Sequence, residues 1–143
     1  MRLAVVGTGG RALCRASGTE AAVFPTLRAA AGRSWELLAL TRRAALTHCA
    51  LAPRVKTLLL PGDCSPALAR YAKQVVGYGF SPRDTLTLSS AARGVRMLCL
   101  QRSVITLGGR LIEPQELPLP PELAPLSDED AMLAALLRLL CPR

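Results

Sequence analysis

Aromatic residues are scarce in this chain: two Phe, two Tyr and one Trp among 143 residues. That is too few for a platform on which successive bases stack, which argues against single-stranded nucleic acid as the natural ligand. Histidine occurs once, as His48, and the five cysteines (Cys14, Cys49, Cys64, Cys99, Cys141) show no C-x-x-C spacing. A structural zinc site takes about four Cys or His ligands at short spacings, so His48, Cys49 and Cys64 do not make one, and no metal is expected. An odd, scattered set of cysteines reads as reduced thiols rather than a disulfide framework. No apolar run approaches the ~20 residues of a membrane span. Glycines interrupt the apolar start, MRLAVVGTGG, before it reaches the length of a secretory core. The expectation is a cytoplasmic protein without a membrane partner. Internal repeats are also missing.

Acids are few over most of the length. Residues 1–112 hold sixteen Arg/Lys against four acids, a balance of +12, whereas residues 113–143 hold two against six, a balance of −4. A basic body can attract phosphates. The cations stand singly, however, with only Arg42 and Arg43 adjacent, and this argues against general nucleic-acid binding. A module that engages a partner through its basic face is one reading of the imbalance.

What the chain has in plenty is apolar residues, half of the total. Disorder is thereby excluded, and at this length one domain buries roughly two-thirds of its unfolded surface. Residues 2–6 (RLAVV) predict a buried strand, followed by the turn Gly7-Thr8-Gly9-Gly10 and an Ala-rich stretch to about residue 31. Gly18 and Pro25 divide that stretch into two short helices. Residues 34–40 (SWELLAL) suit a strand or the start of a helix running to Leu51, and residues 55–60 (VKTLLL) suit a strand. Ser65 and Pro66 suit a helix start. Further strands are expected at 74–77, 85–89 and 95–102, with a hairpin turn at Gly108-Gly109. Proline makes 113–125 extended or looped, and Ser127 caps an apolar helix over 131–140 whose first turn is acidic. Strand and helix alternate up to residue 80. The fold class is therefore α/β: a mostly parallel sheet flanked by helices, with added antiparallel strands and a C-terminal helix.

Two constellations carry possible chemistry. The first is the strand-to-helix turn Gly7, Thr8, Gly9, Gly10, Arg11, whose backbone N–H groups suit a phosphate. Gly7-x-Gly9-x-x-Ala12 satisfies a dinucleotide fingerprint, and Arg42-Arg43 near the end of the second strand would favour the 2′-phosphate of NADP. As an ATP loop the turn lacks the lysine for the β/γ-phosphates, having Arg11, and the magnesium-binding hydroxyl, having Ala12. A tight turn that binds nothing is the third reading.

The second is residues 58–90, LLLPGDCSPALARYAKQVVGYGFSPRDTLTLSS. Residues 58–65 followed by 75–84 resemble the central domain of the Mur ligase family, ATP-dependent amide-forming enzymes of peptidoglycan precursor synthesis. That family has a strand ending in Asn-x-Asp-Asp, a short helix and a strand leading into TYGF-like residues and a further acid. Here the positions read Pro61-Gly62-Asp63-Cys64, Gly77-Tyr78-Gly79-Phe80 and Asp84. The resemblance implies that Gly7–Arg11 stand where the family has its ATP loop, and that Asp63 contacts a ribose hydroxyl. The family also places magnesium-binding acids and a histidine between those motifs. This chain is much shorter there and offers only Glu20 and Glu36, and no ligase domain is expected to follow. Acyl-phosphate chemistry needs both Lys and Mg²⁺ to neutralise the migrating phosphate. The expectation is thus a reduced, non-catalytic relative with a binding or accessory role, with no catalytic residues. It would keep a nucleotide or phosphate site at Gly7, Thr8, Gly9, Gly10, Arg11 and Asp63, and the cofactor, ATP or NADP, stays open. An NADP-binding oxidoreductase fragment or sensor is the alternative.

Overall fold

The computed structural model describes residues 2–46, 54–64, 70, 72–90 and 94–141. The apolar run after Arg2 forms strand β1 (Leu3–Val6), which feeds helix α1 (Gly10–Ser17). Gly9 caps that helix and Gly18 stops it, both with positive φ (84° and 68°), where a Cβ is disfavoured. Strand β2 (Ala22–Phe24), the single-turn helix α2 (Leu27–Ala30) and strand β3 (Ser34–Leu40) come next. Another single turn, α3 (Arg42–Ala45), leaves β3, followed by β4 (Arg54–Pro61) and β5 (Ala72–Gly79). Strands β6 (Leu86–Ser90) and β7 (Arg96–Leu100) form a hairpin, as do the short β8 (Val104–Ile105) and β9 (Leu111–Ile112). Strand β10 (Gln115–Pro118) and a 3-10 turn (Pro121–Leu123) lead to helix α4 (Asp128–Leu140).

One eight-stranded sheet organises the chain in the order β10-β7-β6-β5-β4-β3-β1-β2. From β2 through β6 all neighbours are parallel, while β7 and β10 add antiparallel pairs at one side. Strands buried on both faces read as continuous apolar runs, and the second halves of β3 and β4, residues 37–40 and 58–61, do so. One face packs Val5, Leu37, Leu59 and Val76 against α1 and α4, and the other packs Leu38, Leu40, Leu58 and Leu60 against α2 and α3. Eight residues of α4 are buried, including Met132, Leu133, Leu136 and Leu137, at about 1.5–3 kcal/mol for each large side chain. The Ser127 hydroxyl accepts the Asp130 N–H at 3.3 Å, so the expected cap forms. Among the described residues no helix is long and apolar enough to cross a membrane.

The α/β architecture stands as expected; one element differs and three expectations take a definite form. Residues 22–24 are not helix but the edge strand β2, because pairing with β1 outweighs the helix preference of the alanines before Val23. Residues 34–40 are strand throughout. The Pro-rich stretch contains strand β10, which tolerates Pro118 because it lies at the sheet edge. The Gly108-Gly109 hairpin forms with strands of only two residues. Its anchor is Gln74, whose side chain donates to the Ile105 carbonyl and accepts the Ile105 N–H, both at 2.9 Å. The expected helix start at Ser65 and Pro66, the continuation to Leu51, and His48 and Cys49 lie outside the described residues.

Candidate functional site

Strand β1 pairs with β2 on one side and with β3 on the other, so the chain reverses its direction of travel across the sheet at β1. Connections leaving the carboxyl ends of β1 and β3 diverge there, and in open α/β sheets such a switch point leaves a crevice. A crevice of about 520 Å³ does lie there, lined by Thr8 after β1, by Thr41, Arg42 and Arg43 after β3, and by Tyr78 and Phe80 at the end of β5. Residues 127–130, the start of α4, close it.

The β1–α1 turn is pressed against the β3–α3 turn. Gly7 has φ of 130°, and a Cβ at that position would overlap the Thr41 hydroxyl. The Thr41 oxygen is buried there and bonds to nothing. Leaving a hydroxyl unpaired costs about 1–3 kcal/mol, a local strain at the crevice wall. Gly10, the first residue of α1, must also be small: a Cβ would stand 2.8 Å from Val23 and 3.3 Å from Val5. Thus Gly7 and Gly10 serve close packing, while Thr8, exposed between them, faces the crevice.

Arg42 is the electrostatic centre of the site. Its Nη1 donates to both Asp63 oxygens at 2.9 Å, and its Nε donates to the Glu129 oxygens at 3.0 and 2.9 Å. One guanidinium therefore ties the ends of β3 and β4 to the start of α4. These bonds hold the Asp63 carboxyl below the usual carboxylate range and push Arg42 up. The partners remain partly hydrated, with side-chain exposures of 40 % for Arg42, 67 % for Asp63 and 35 % for Glu129. Asp128, next to Glu129, pairs instead with Arg96 at 2.7 Å.

Beside this clamp the resembling residues form one packed unit. The turn after β5 carries Asp84, whose carboxylate accepts the Ser81 N–H at 2.9 Å and is buried between the ends of β4 and β5. A Cβ on Gly62 or on Gly79 would overlap that carboxylate. Gln101 closes the unit, donating to the Asp84 carbonyl at 2.7 Å. Tyr78, buried to 2 % exposure, donates from its hydroxyl to the Leu40 carbonyl at 2.8 Å, bridging β5 to β3 across β4.

Of the residues singled out in the sequence, Thr8 lines the crevice with Arg42 and Arg43, and Asp63 joins them through Arg42. Gly7 and Gly9 shape the turn, and Gly10 packs α1 against the sheet. Arg11 lines a different recess, of about 680 Å³, with Cys14, Arg15 and the approach to β2. Sequence reasoning missed Glu129 and Phe80. The acids at 128–130 read there only as complements to the α4 dipole, and Phe80 only as part of a motif. At 63 % exposure on the crevice rim, Phe80 is the aromatic among the large exposed apolar side chains described.

Fold and crevice together define an open α/β sheet protein with a polar cleft at its switch point. Compared with protein-family models, curated protein sequences and solved structures, the chain finds no match.

Proposed function

We propose that the chain is a non-catalytic binding protein that takes a nucleotide in the switch-point crevice, and that it derives from the central domain of the Mur ligase family. The observation that carries this reading is the convergence of Thr8, Thr41 and Arg43 with the exposed Phe80 ring around one cleft. An exposed aromatic face stacks a base, at about 1–3 kcal/mol. Hydroxyls and an arginine opposite suit phosphate and ribose oxygens. Rotation of the Thr41 side chain would turn its unpaired hydroxyl from Gly7 toward the ligand. The position of Arg11, outside the crevice, supports a binding role over phosphoryl chemistry, since no cation at the start of α1 lines the cleft. Cytoplasmic residence goes with this reading and with the buried thiols of Cys64 and Cys141.

NADP is the second reading, through Arg43 at the end of β3. Arg42 speaks against it, because two carboxylates already occupy its Nε and Nη1. Isothermal titration with ATP, ADP and NADPH separates the cases. Saturable ATP or ADP binding that Phe80→Ala weakens by about tenfold or more supports the proposal. Flat titrations with all three overturn it. NADPH binding alone, lost in Arg43→Ala, transfers the site to the second reading. Magnesium-dependent ATP hydrolysis removes the non-catalytic part.

A further inference from the structure

The sheet gathers the positive charge that the sequence spreads one residue at a time. Strands β1, β3, β4 and β5 run parallel and in step, so their starts lie along one edge, the edge opposite the crevice. Arg2 precedes β1, Arg33 precedes β3, Arg54 opens β4, and Arg70 and Lys73 flank the start of β5. Register makes neighbours of them. Arg54 pairs with Ser34, and its N–H donates to the Arg33 carbonyl at 3.2 Å. Val55 pairs with Ala72 and Thr57 with Gln74, which sets Lys56 beside Lys73. Alternation then places Arg54, Lys56 and Lys73 on one face. All six cations are exposed. Glu36 is the one acid among the described residues at these strand starts, opposite Lys56 in register, and no ion pair joins it to them. The described ion pairs instead fall on Arg42, Arg96 and Arg138.

We propose that this edge binds the phosphodiester backbone of a nucleic acid, by charge and without reading its bases. Four adjacent strands at about 4.8 Å spacing give a row about 14 Å wide, enough to meet several phosphates. Four of the six cations are arginines, whose forked donors engage phosphate oxygens in pairs. The only tryptophan cannot act as a stacking platform here: Trp35 is 6 % exposed and lies under Arg2, whose guanidinium carbon is 5.2 Å from the ring centre. Among the described residues, then, this edge has no stacking platform, and binding without base selectivity is expected. Val75 on these strands, and Ile105 and Leu111 on the hairpin that Gln74 holds beside β5, are exposed apolar side chains, so an anionic bilayer is the competing occupant that the vesicle arm of the test separates. The edge is remote from the crevice, so this inference does not rest on the nucleotide proposal.

Fluorescence anisotropy with labelled single-stranded RNA and duplex DNA, run over a salt series, tests it. With four to six phosphate contacts, log K should fall against log[salt] with a slope of about −3 to −4 for the single strand. The variant Arg33→Gln/Arg54→Gln/Lys73→Gln should bind at least about tenfold more weakly at 0.1 M salt, with the slope flatter by about 2. Arg83→Glu/Gln115→Glu, which removes the same net charge elsewhere, should stay within about threefold of the parent. Circular dichroism checks folding, and the single changes Arg54→Gln and Lys73→Gln replace the triple if it does not fold. Equal binding of poly-A and poly-U belongs with the proposal. It is overturned if both charge variants weaken binding alike, if neither does, if the parent protein binds no oligonucleotide, or if only phosphatidylserine vesicles bind.

Discussion

Gly62 and Asp84 stand so close that a methyl group on the first would occupy the space of the second's carboxylate. The two belong to different crossings of the sheet, one at the end of β4 and the other in the turn before β6. Their contact locks the side-step by which the chain passes from β5 to its parallel neighbour within residues 80–85.

Gly62→Ala should therefore destabilise the fold by about 1–3 kcal/mol, the usual cost of forcing extra volume into a packed site. Urea unfolding of Gly62→Ala, Asp84→Ala and the double variant forms a cycle. Because Asp84→Ala makes room for the methyl group, the double variant should lose less than the two single losses combined. Strict additivity would mean that Gly62 is required for another reason.

The Arg42 clamp should contribute modestly. Its members are partly exposed, and such pairs are worth about 0.2–1 kcal/mol each. Arg42→Gln should lower stability by about 1 kcal/mol at pH 7 and low salt, with the deficit shrinking in 1 M salt. The sign with pH follows from Asp63. Its folded carboxyl titrates below the ordinary value of about 3.9, so its contribution is complete above that pH and is lost as pH falls through the folded value. Melting curves of parent and Arg42→Gln should converge as pH falls through the folded Asp63 value, which lies below the ordinary one. A gap that widens in acid would contradict the clamp.

Tyr78→Phe removes one hydroxyl from a buried site and leaves the Leu40 carbonyl without that donor. A loss of about 1–2 kcal/mol is expected in denaturant titrations. The Tyr78 phenol is pushed well above the ordinary tyrosine value, first by burial and then by the nearby Glu129 and Asp130. Ultraviolet difference titration should accordingly show one tyrosine that ionises only as the protein unfolds.

Much of the architecture could be read from local pattern, since β1, β4 and α4 each announce themselves by an apolar run, a glycine stop or a serine cap. Edge strands were harder. Val23 sits in an alanine-rich context that favours helix, and Leu117 sits among prolines, so only pairing with β1 and β7 makes them strands. The site was legible in half. Gly7, Thr8 and Arg42 carry visible signals, a glycine turn and a basic pair after a strand. Glu129 lies 87 residues from Arg42, and no local rule connects them. The same holds for the basic edge, where Arg2, Arg33, Arg54 and Lys73 become neighbours only through the strand order.

Cys141 offers a test of the core at alkaline pH. It is 6 % exposed at the end of α4, and burial pushes its thiol up to about 11. An unfolded cysteine titrates near 8.5, so between these values the unfolded chain releases a proton that the folded chain keeps. Stability should hold below about pH 8.5 and then decline as pH rises toward 11. Cys141→Ala removes this group, and its stability should fall less steeply than the parent's across that window, leaving the losses due to Cys14, Cys64 and Tyr78, which burial also raises. In the folded parent at pH 8, iodoacetamide should alkylate Cys141 far more slowly than in urea, as followed by mass spectrometry of the peptide. Rapid alkylation of Cys141 at pH 8 without unfolding would show that the end of α4 opens, and that its packing against the sheet is weaker than its burial implies.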